Sequence, residues 1–215
     1  VNRPARLVTA ALTASAALLL NACSSGGGSG ASSDKIKGVD AGASSSPSAS
    51  ASRASDVKRP EVTLPSTFTM NFEGWTNSNP KLQAIMDDGK EALRADHAAI
   101  IEADPNTSPV AFYNEGAALD SVRTWVKGYA KTDDSLVGKV RVFDSQVQVN
   151  GQGLGVLFYC VDEGKADTKN RKTNKLAGTP TGTSPYLQYR TTLEKTSQGV
   201  WKTRSVQTER GACGQ

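Results

Sequence analysis

Histidine occurs once in this chain, methionine twice and cysteine three times. A single histidine and no Cys-x-x-Cys leave no donor set for zinc, so no metal is expected. No apolar run reaches the roughly 20 residues that a membrane-spanning helix needs. Charge of one sign is not in excess either, since 25 basic residues face 21 acidic ones. That balance is too mild for a nucleic-acid binder, and no nucleic-acid partner is expected. A Gly-rich phosphate loop, a nucleophile elbow and a Ser/His/Asp order with usable spacing are all missing, and no cofactor is expected. Hydrophobic residues make up only 37% of the chain, which points to a long portion without a packed core.

What is present begins near the N-terminus. Arg3 and Arg6 precede an apolar run from Leu7 to Leu20, and the run ends Leu20-Asn21-Ala22-Cys23. A basic start, a short apolar middle and a small-residue site predict a secretory signal peptide over residues 1–22. The ending resembles the lipobox of bacterial lipoproteins. That resemblance implies that Cys23 carries a diacylglyceryl group and opens the mature chain. Two acyl chains anchor stably where one binds only marginally. The expected location is therefore the outer face of the cell membrane. Removing Arg3 and Arg6 leaves 23 basic against 21 acidic residues. From Cys23 to Arg59 the chain is Ser, Gly and Ala with scattered charge, which predicts a disordered tether over 23–59.

Larger apolar side chains return over residues 60–79. Phe68, Met70 and Phe72 alternate with Thr69 and Asn71, which predicts an extended arm ordered by packing on a domain at 80–215. Asn79-Pro80 reads as an N-cap and first helical position. Leu82, Ile85, Met86, Leu93 and Ile100 form one helical stripe, ending near Ala103. Ser108-Pro109 opens a short helix through Tyr113, and a third helix is predicted from Gly116 to Lys131. After Gly138 the pattern is strand-like: Lys139–Val149, Leu154–Asp162, Tyr186–Lys195 and Val200–Glu209. Asn150-Gly151 predicts a hairpin, and a parity switch in the first strand predicts a bulge near Asp144. The fold class is α+β: three helices packed on a bent four-stranded antiparallel meander.

Helices first and a bent sheet after resemble the cone fold of the ketosteroid-isomerase and nuclear-transport-factor superfamily. Val140-Arg141-Val142-Phe143-Asp144-Ser145-Gln146-Val147, Tyr159-Cys160-Val161-Asp162, Gly199-Val200-Trp201-Lys202-Thr203 and Cys213 resemble small exported lipoproteins of high-GC Gram-positive bacteria. The second resemblance implies location and fold, and no activity.

Cys160 and Cys213 form an even pair in an oxidising compartment, which predicts a disulfide. The second and fourth strands run in the same direction with one strand between them, and Gly211-Ala212 can carry Cys213 across. Asp96 falls in the middle of the apolar stripe of the first helix, with Gly89 beside it and His97 at its edge. A carboxylate in an apolar cone gains basicity, and a core carboxylate satisfied by hydrogen bonds fits the same pattern. Asp162, Arg190, Tyr186 and Tyr189 are further pocket candidates; strand parity alone does not place them. Lys169, Arg171, Lys172 and Lys175 lie in a long connection, Glu163 to Pro185. It reads either as a contact for anionic wall polymer or as a solvated loop. The leading expectation is a lipid-anchored, non-catalytic binding or interaction domain, partnered by the membrane and by an envelope protein or wall polymer. The alternative is a cone-fold isomerase or dehydratase acting on a small hydrophobic molecule with Asp96 as base. A cavity lined by Asp96 and a second polar group favours the enzyme, and a filled interior the binder.

Overall fold

The chain divides into two units, Val1–Pro47 and Ser48–Gln215. The structure, a computed structural model, describes residues 57–213, all of them in the second unit. The signal peptide, Cys23 and nearly all of the predicted tether lie outside the described residues.

The elements run β1 (Phe68–Phe72), α1 (Pro80–Glu102), α2 (Ser108–Tyr113), α3 (Gly116–Lys131), β2 (Asp134–Val149), β3 (Gly155–Asn170), β4 (Leu176–Ala177), β5 (Tyr186–Lys195) and β6 (Trp201–Arg210). The class is α+β, as expected. The helix boundaries follow their caps. Asn79 accepts hydrogen bonds from the Lys81 and Leu82 N–H groups at 2.9 and 3.4 Å, and Pro80 occupies the first turn. Ala103 ends α1 in the left-handed region, and the Asp104 N–H reaches back to the Ala99 carbonyl at 3.0 Å.

The meander is present as β2-β3-β5-β6, but the sheet is larger than the sequence suggests. Residues 68–72 of the arm form β1, which pairs with β2 in parallel, Phe68 opposite Gly138 and Phe72 opposite Val142. A parallel partner must come from beyond a long crossover, here all three helices, so local alternation in the arm does not reveal it. β3 does not stop at Asp162. It continues to Asn170, pairing Lys165–Asn170 with Lys139–Asp134, and β4 adds to its far end. The 163–185 connection is therefore half strand. Gly, Asp, Lys and Asn are poor strand formers, and pairing with β2 overrides that preference.

The predicted bulge is found where β2 shifts register between Phe143 and Gln146, with Asp144 at φ 51°. A second shift lies between Lys139 and Arg141. It changes which β3 side chains face inward, from Tyr159 and Val161 to Ala166. The hairpin after Val149 closes at Asn150 and Leu154, so its turn is three residues rather than Asn150-Gly151 alone. Gly153 supplies the positive φ that this turn requires.

One apolar cluster fills the space between α1 and the sheet, with Phe68, Trp75, Ile85, Leu93, Leu157 and Leu193. A second, built on Ala92, Ala95 and Ala99 of α1, packs α2 and α3 close to that helix. At Gly89 α1 lies close against the sheet, since a Cβ there would lie 2.6 Å from Leu157 Cδ2. On the outer face Cys160 and Cys213 are disulfide-bonded, with Cα atoms 5.9 Å apart. Cys160 is mid-strand, not at a strand end, because β3 runs on. Closing a sequence separation of 53 residues stabilises the fold by about 4 kcal/mol in the chain-entropy account.

Candidate functional site

Two carboxylates of α1 are buried, Asp88 and Asp96. Asp88 is fully committed. It accepts from Arg59 Nε at 3.0 Å and Nη2 at 3.3 Å, and from the Trp201 N–H at 2.8 Å. Arg59 and Val57 fall in the segment that the composition predicts as tether, yet both contact the domain.

Asp96 lies two turns further on and faces a cavity of about 360 Å3 between α1, α3 and the inner face of β3, β5 and β6. Its Oδ1 accepts from Asn114 Nδ2 at 2.8 Å, and the same amide donates to the Val110 carbonyl at 3.2 Å. Asn114 is held by its position between α2 and β6, where its backbone bridges to Thr203. Burial pushes the Asp96 carboxyl up to about 7, the Asn114 hydrogen bond acting in the opposite direction. Tyr159 and Tyr189, stacked with ring centroids 5.1 Å apart, line the same cavity. Burial is the main cause that raises both phenols, and the Asp96 charge adds to it. Leu187, Val122 and Val206 supply apolar wall. The site thus offers the Asp96 carboxyl, the phenols of Tyr159, Tyr189 and Tyr129, the Glu163–Arg210 pair and several hydroxyls within a largely apolar wall, so it suits a small, largely apolar molecule with some polar groups.

His97, the next residue, lines an adjoining cavity of about 320 Å3. Its Nδ1 lies 2.8 Å from the Leu93 carbonyl. A carbonyl only accepts, so Nδ1 carries the proton and Nε2 is bare. Phe68 stacks on the ring at 5.7 Å and Trp125 meets it edge-on at 5.4 Å. Burial lowers the imidazole to about 4, opposed by the Leu93 hydrogen bond, so it is neutral at ordinary pH. Trp125, Tyr129, Glu163 and Arg210 border both cavities, with Arg210 Nη2 3.1 Å from Glu163 Oε2.

No protein-family model matches the chain, and no curated protein sequence matches it. Solved structures give a distant likeness in fold. A ketosteroid isomerase-like protein from Erwinia carotovora atroseptica is 15% identical, with a TM-score of 0.42 over 62% of this chain and 98% of that one. The Aln2 protein of a Streptomyces species is 13% identical, with a TM-score of 0.43 over 63% and 94%. The intermembrane space region of the chloroplast protein ARC6 is 9% identical, with a TM-score of 0.41 over 60% and 97%.

Of the expected pocket residues, Asp96, His97 and Tyr189 face the interior. Asp162 and Arg190 do not, which corrects the expectation that they share the concavity. Asp162 accepts from the Gly164 N–H at 2.9 Å and lies 3.7 Å from Arg141 Nε. Arg190 is exposed, its guanidinium 5.3 Å over the Phe158 ring. Both alternate with the inward Val161 and Tyr189, and Tyr186 packs on Phe143 beside the disulfide.

The basic segment is also redistributed. Arg171 is not a free contact for polymer. It donates to the Ile100 and Ile101 carbonyls at 2.6 and 3.2 Å and to the Asp134 carbonyl, closing the C-terminal end of α1. Lys172 pairs with Asp133 at 2.7 Å. Lys169 lies in β3, and Lys175 is exposed just before β4. Among the described residues no helix is long and apolar enough to cross a membrane, and no group of side chains is arranged to hold a metal ion.

Asn114, Tyr159 and the Asp88–Arg59 pair were not picked out from the sequence. Inward parity with Val161 is a signal for Tyr159; for Asn114 there is none, since its role arises across 18 positions of separation.

Proposed function

We propose that this protein is a lipid-anchored, extracytoplasmic binding domain that holds a small, largely apolar molecule in the cavity beside Asp96, without converting it. The observation that carries binding is the cavity itself, in which the Asp96–Asn114 pair and the phenols are set in a largely apolar wall; the same open cavity with a second polar group beside Asp96 is what the enzyme alternative calls for. Export and anchoring rest on Arg3, Arg6, the apolar run and Cys23 in the sequence. Organic extraction of the purified protein followed by mass spectrometry tests binding: a recurrent small molecule is expected, absent from a variant whose cavity is filled by Thr191→Phe. Recovery of nothing from either protein defeats the reading. The anchor has its own test. Cys23→Ser is expected to leave the membrane fraction or keep its leader, and normal processing with membrane retention counts against lipidation.

A second reading, the enzyme, is favoured by the open cavity in which Asn114 stands beside Asp96 and by the elevation of the Asp96 carboxyl to about 7. A base of that strength is suited to proton abstraction next to a carbonyl, as an isomerase or dehydratase requires. The two readings separate on Asp96→Asn. In a binder that change alters affinity alone. In an enzyme it abolishes conversion of the extracted molecule while binding persists.

A further inference from the structure

We propose that residues 177–183 are a lid over the His97 cavity and that Arg210 is the latch that holds it shut. This rests on the binding reading above and adds how a ligand enters. The segment is an outer wall of that cavity. Ala177, Gly178, Thr179, Pro180 and Thr183 line it, and all of them but Thr179 are also exposed to solvent, so the wall is one chain thick. Among the described residues, 178–183 make a single hydrogen bond, from the Thr183 N–H to the Pro180 carbonyl at 2.9 Å, and it lies within the segment. Exposed backbone without bonds to the body of the fold opens locally at little cost. The hydrogen bonds that tie the segment to the domain lie at its ends. At one end β4 pairs only Leu176 and Ala177 with Lys169 and Thr168. Gly178 and Gly182, the latter at φ 81°, provide bending points.

Arg210 closes the other end. Its Nη1 donates to the Ser184 carbonyl at 2.8 Å, and its Nη2 donates to Glu163 Oε2 at 3.1 Å. One guanidinium thus ties the lid to β3 and β6. The disulfide sets its reach: Cys160 lies three residues before Glu163 and Cys213 three after Arg210, so a covalent link holds together the two segments that carry the ion pair. Both side chains of that pair are partly exposed, and such a pair is weak enough to part and re-form. That suits a latch, where the buried Asp88–Arg59 contact suits a fixed anchor. Release of Arg210 frees residues 178–183 to swing about the two glycines and uncovers the His97 cavity. Trp125, Tyr129 and Arg210 border both cavities, so the same opening serves the Asp96 side.

The test uses the purified full chain and two readouts. The first is entry of N-phenyl-1-naphthylamine, a neutral apolar dye, followed by stopped flow. The observed rate is expected to level off as the dye concentration rises, because opening of the lid limits it. Arg210→Gln should raise that plateau about fivefold, the effect of one ion pair and one hydrogen bond at a partly exposed site. Raising the salt concentration should quicken entry in the unaltered protein and leave Arg210→Gln unmoved, a response that a merely structural arginine does not give. The second readout needs no ligand. A broad-specificity protease should nick the native chain within residues 178–184, about fivefold faster in Arg210→Gln. An entry rate that stays linear in dye concentration and ignores both salt and Arg210→Gln overturns the gate. Equal nicking of the two proteins overturns the latch. If the dye binds neither protein, the binding reading falls and the gate with it, while the nicking ratio still decides whether Arg210 holds the segment. The salt series uses the unaltered protein, so a misfolded Arg210→Gln does not stop the test.

Discussion

Asp88 and Asp96 are the same residue type, on the same helix, buried to nearly the same degree, yet they do opposite things. Asp88 has an arginine on both oxygens and a backbone N–H besides. Asp96 has one amide and an open cavity. Removing a carboxylate from water costs several kcal/mol unless partners replace the lost hydration. At Asp88 they do, and the residue is structure: it ties the incoming arm and the start of β6 to α1. At Asp96 they do so only in part, and the deficit appears as a carboxyl that holds its proton to about 7. Partner supply, not burial, separates an anchoring carboxylate from a reactive one. Arg171 extends the contrast, because α1 is pinned by charge on both sides of Asp96 while the stretch that carries Asp96 is left to face the cavity.

The largest way to sharpen this comparison is pH. Asp96 is raised from 3.8 to about 7 on folding, so the folded state prefers the proton. Its contribution is full below pH 4 and is lost as pH rises to about 7, a change on the order of 4 kcal/mol. His97 is lowered from 6.5 to about 4, so the folded state prefers the neutral ring. Its contribution is full above about pH 6.5 and is lost as pH falls to about 4, on the order of 3 kcal/mol. The adjacent residues oppose each other and largely cancel in the unaltered protein. Urea unfolding across this range is expected to show stability rising with pH in Asp96→Asn and falling with pH in His97→Phe. Parallel profiles for the two variants would contradict both assignments. Above pH 7 Asp96→Asn should be the more stable protein, the usual sign of a residue kept for function.

Breaking the other carboxylate should do the reverse. Asp88→Ala removes the acceptor of the Trp201 N–H and of the Arg59 Nε and Nη2 groups, and is expected to cost about 3 kcal/mol. Denaturant midpoints measure this, and a neutral outcome would remove the distinction drawn between the two residues. The smallest effect is expected at Arg171→Ala. Loss of its bonds to the last carbonyls of α1 should cost about 2 kcal/mol and speed amide exchange in the final turn, leaving ligand affinity unchanged.

The helices were legible because their signals are local. Asn79-Pro80 and Ser108-Pro109 announce their own ends, and the stripe on α1 picked out Asp96 as the polar residue among apolar ones. Asp88 escaped notice because its partner, Arg59, sits at the edge of a Ser/Ala-rich segment that reads as tether. β1 and the outer half of β3 escaped for the same reason in backbone form: their partners are remote, and Glu163-Gly164-Lys165 has no strand preference of its own. Side-chain direction was recoverable only up to a register shift. Asp162 and Arg190 were grouped with Tyr189 because nothing local says which parity faces the helices; the buried neighbours Val161 and Leu193 decide it.

The parallel pairing of Phe68 with Gly138 has a kinetic meaning. β1 leaves the ribosome before every other described element, yet it has nothing to pair with until three helices and β2 exist. β1 is therefore expected to dock later than the local β5–β6 hairpin, because the connection it closes is the longest between paired strands of the described sheet. Such an order leaves Phe68, Met70 and Phe72 exposed for most of folding. In pulse-labelling during refolding their amides are predicted to gain protection after those of the β5–β6 hairpin; earlier protection of β1 would reverse the sequence of events. A strand that is made early and docked late leaves that edge of the sheet open until β2 has formed beside it.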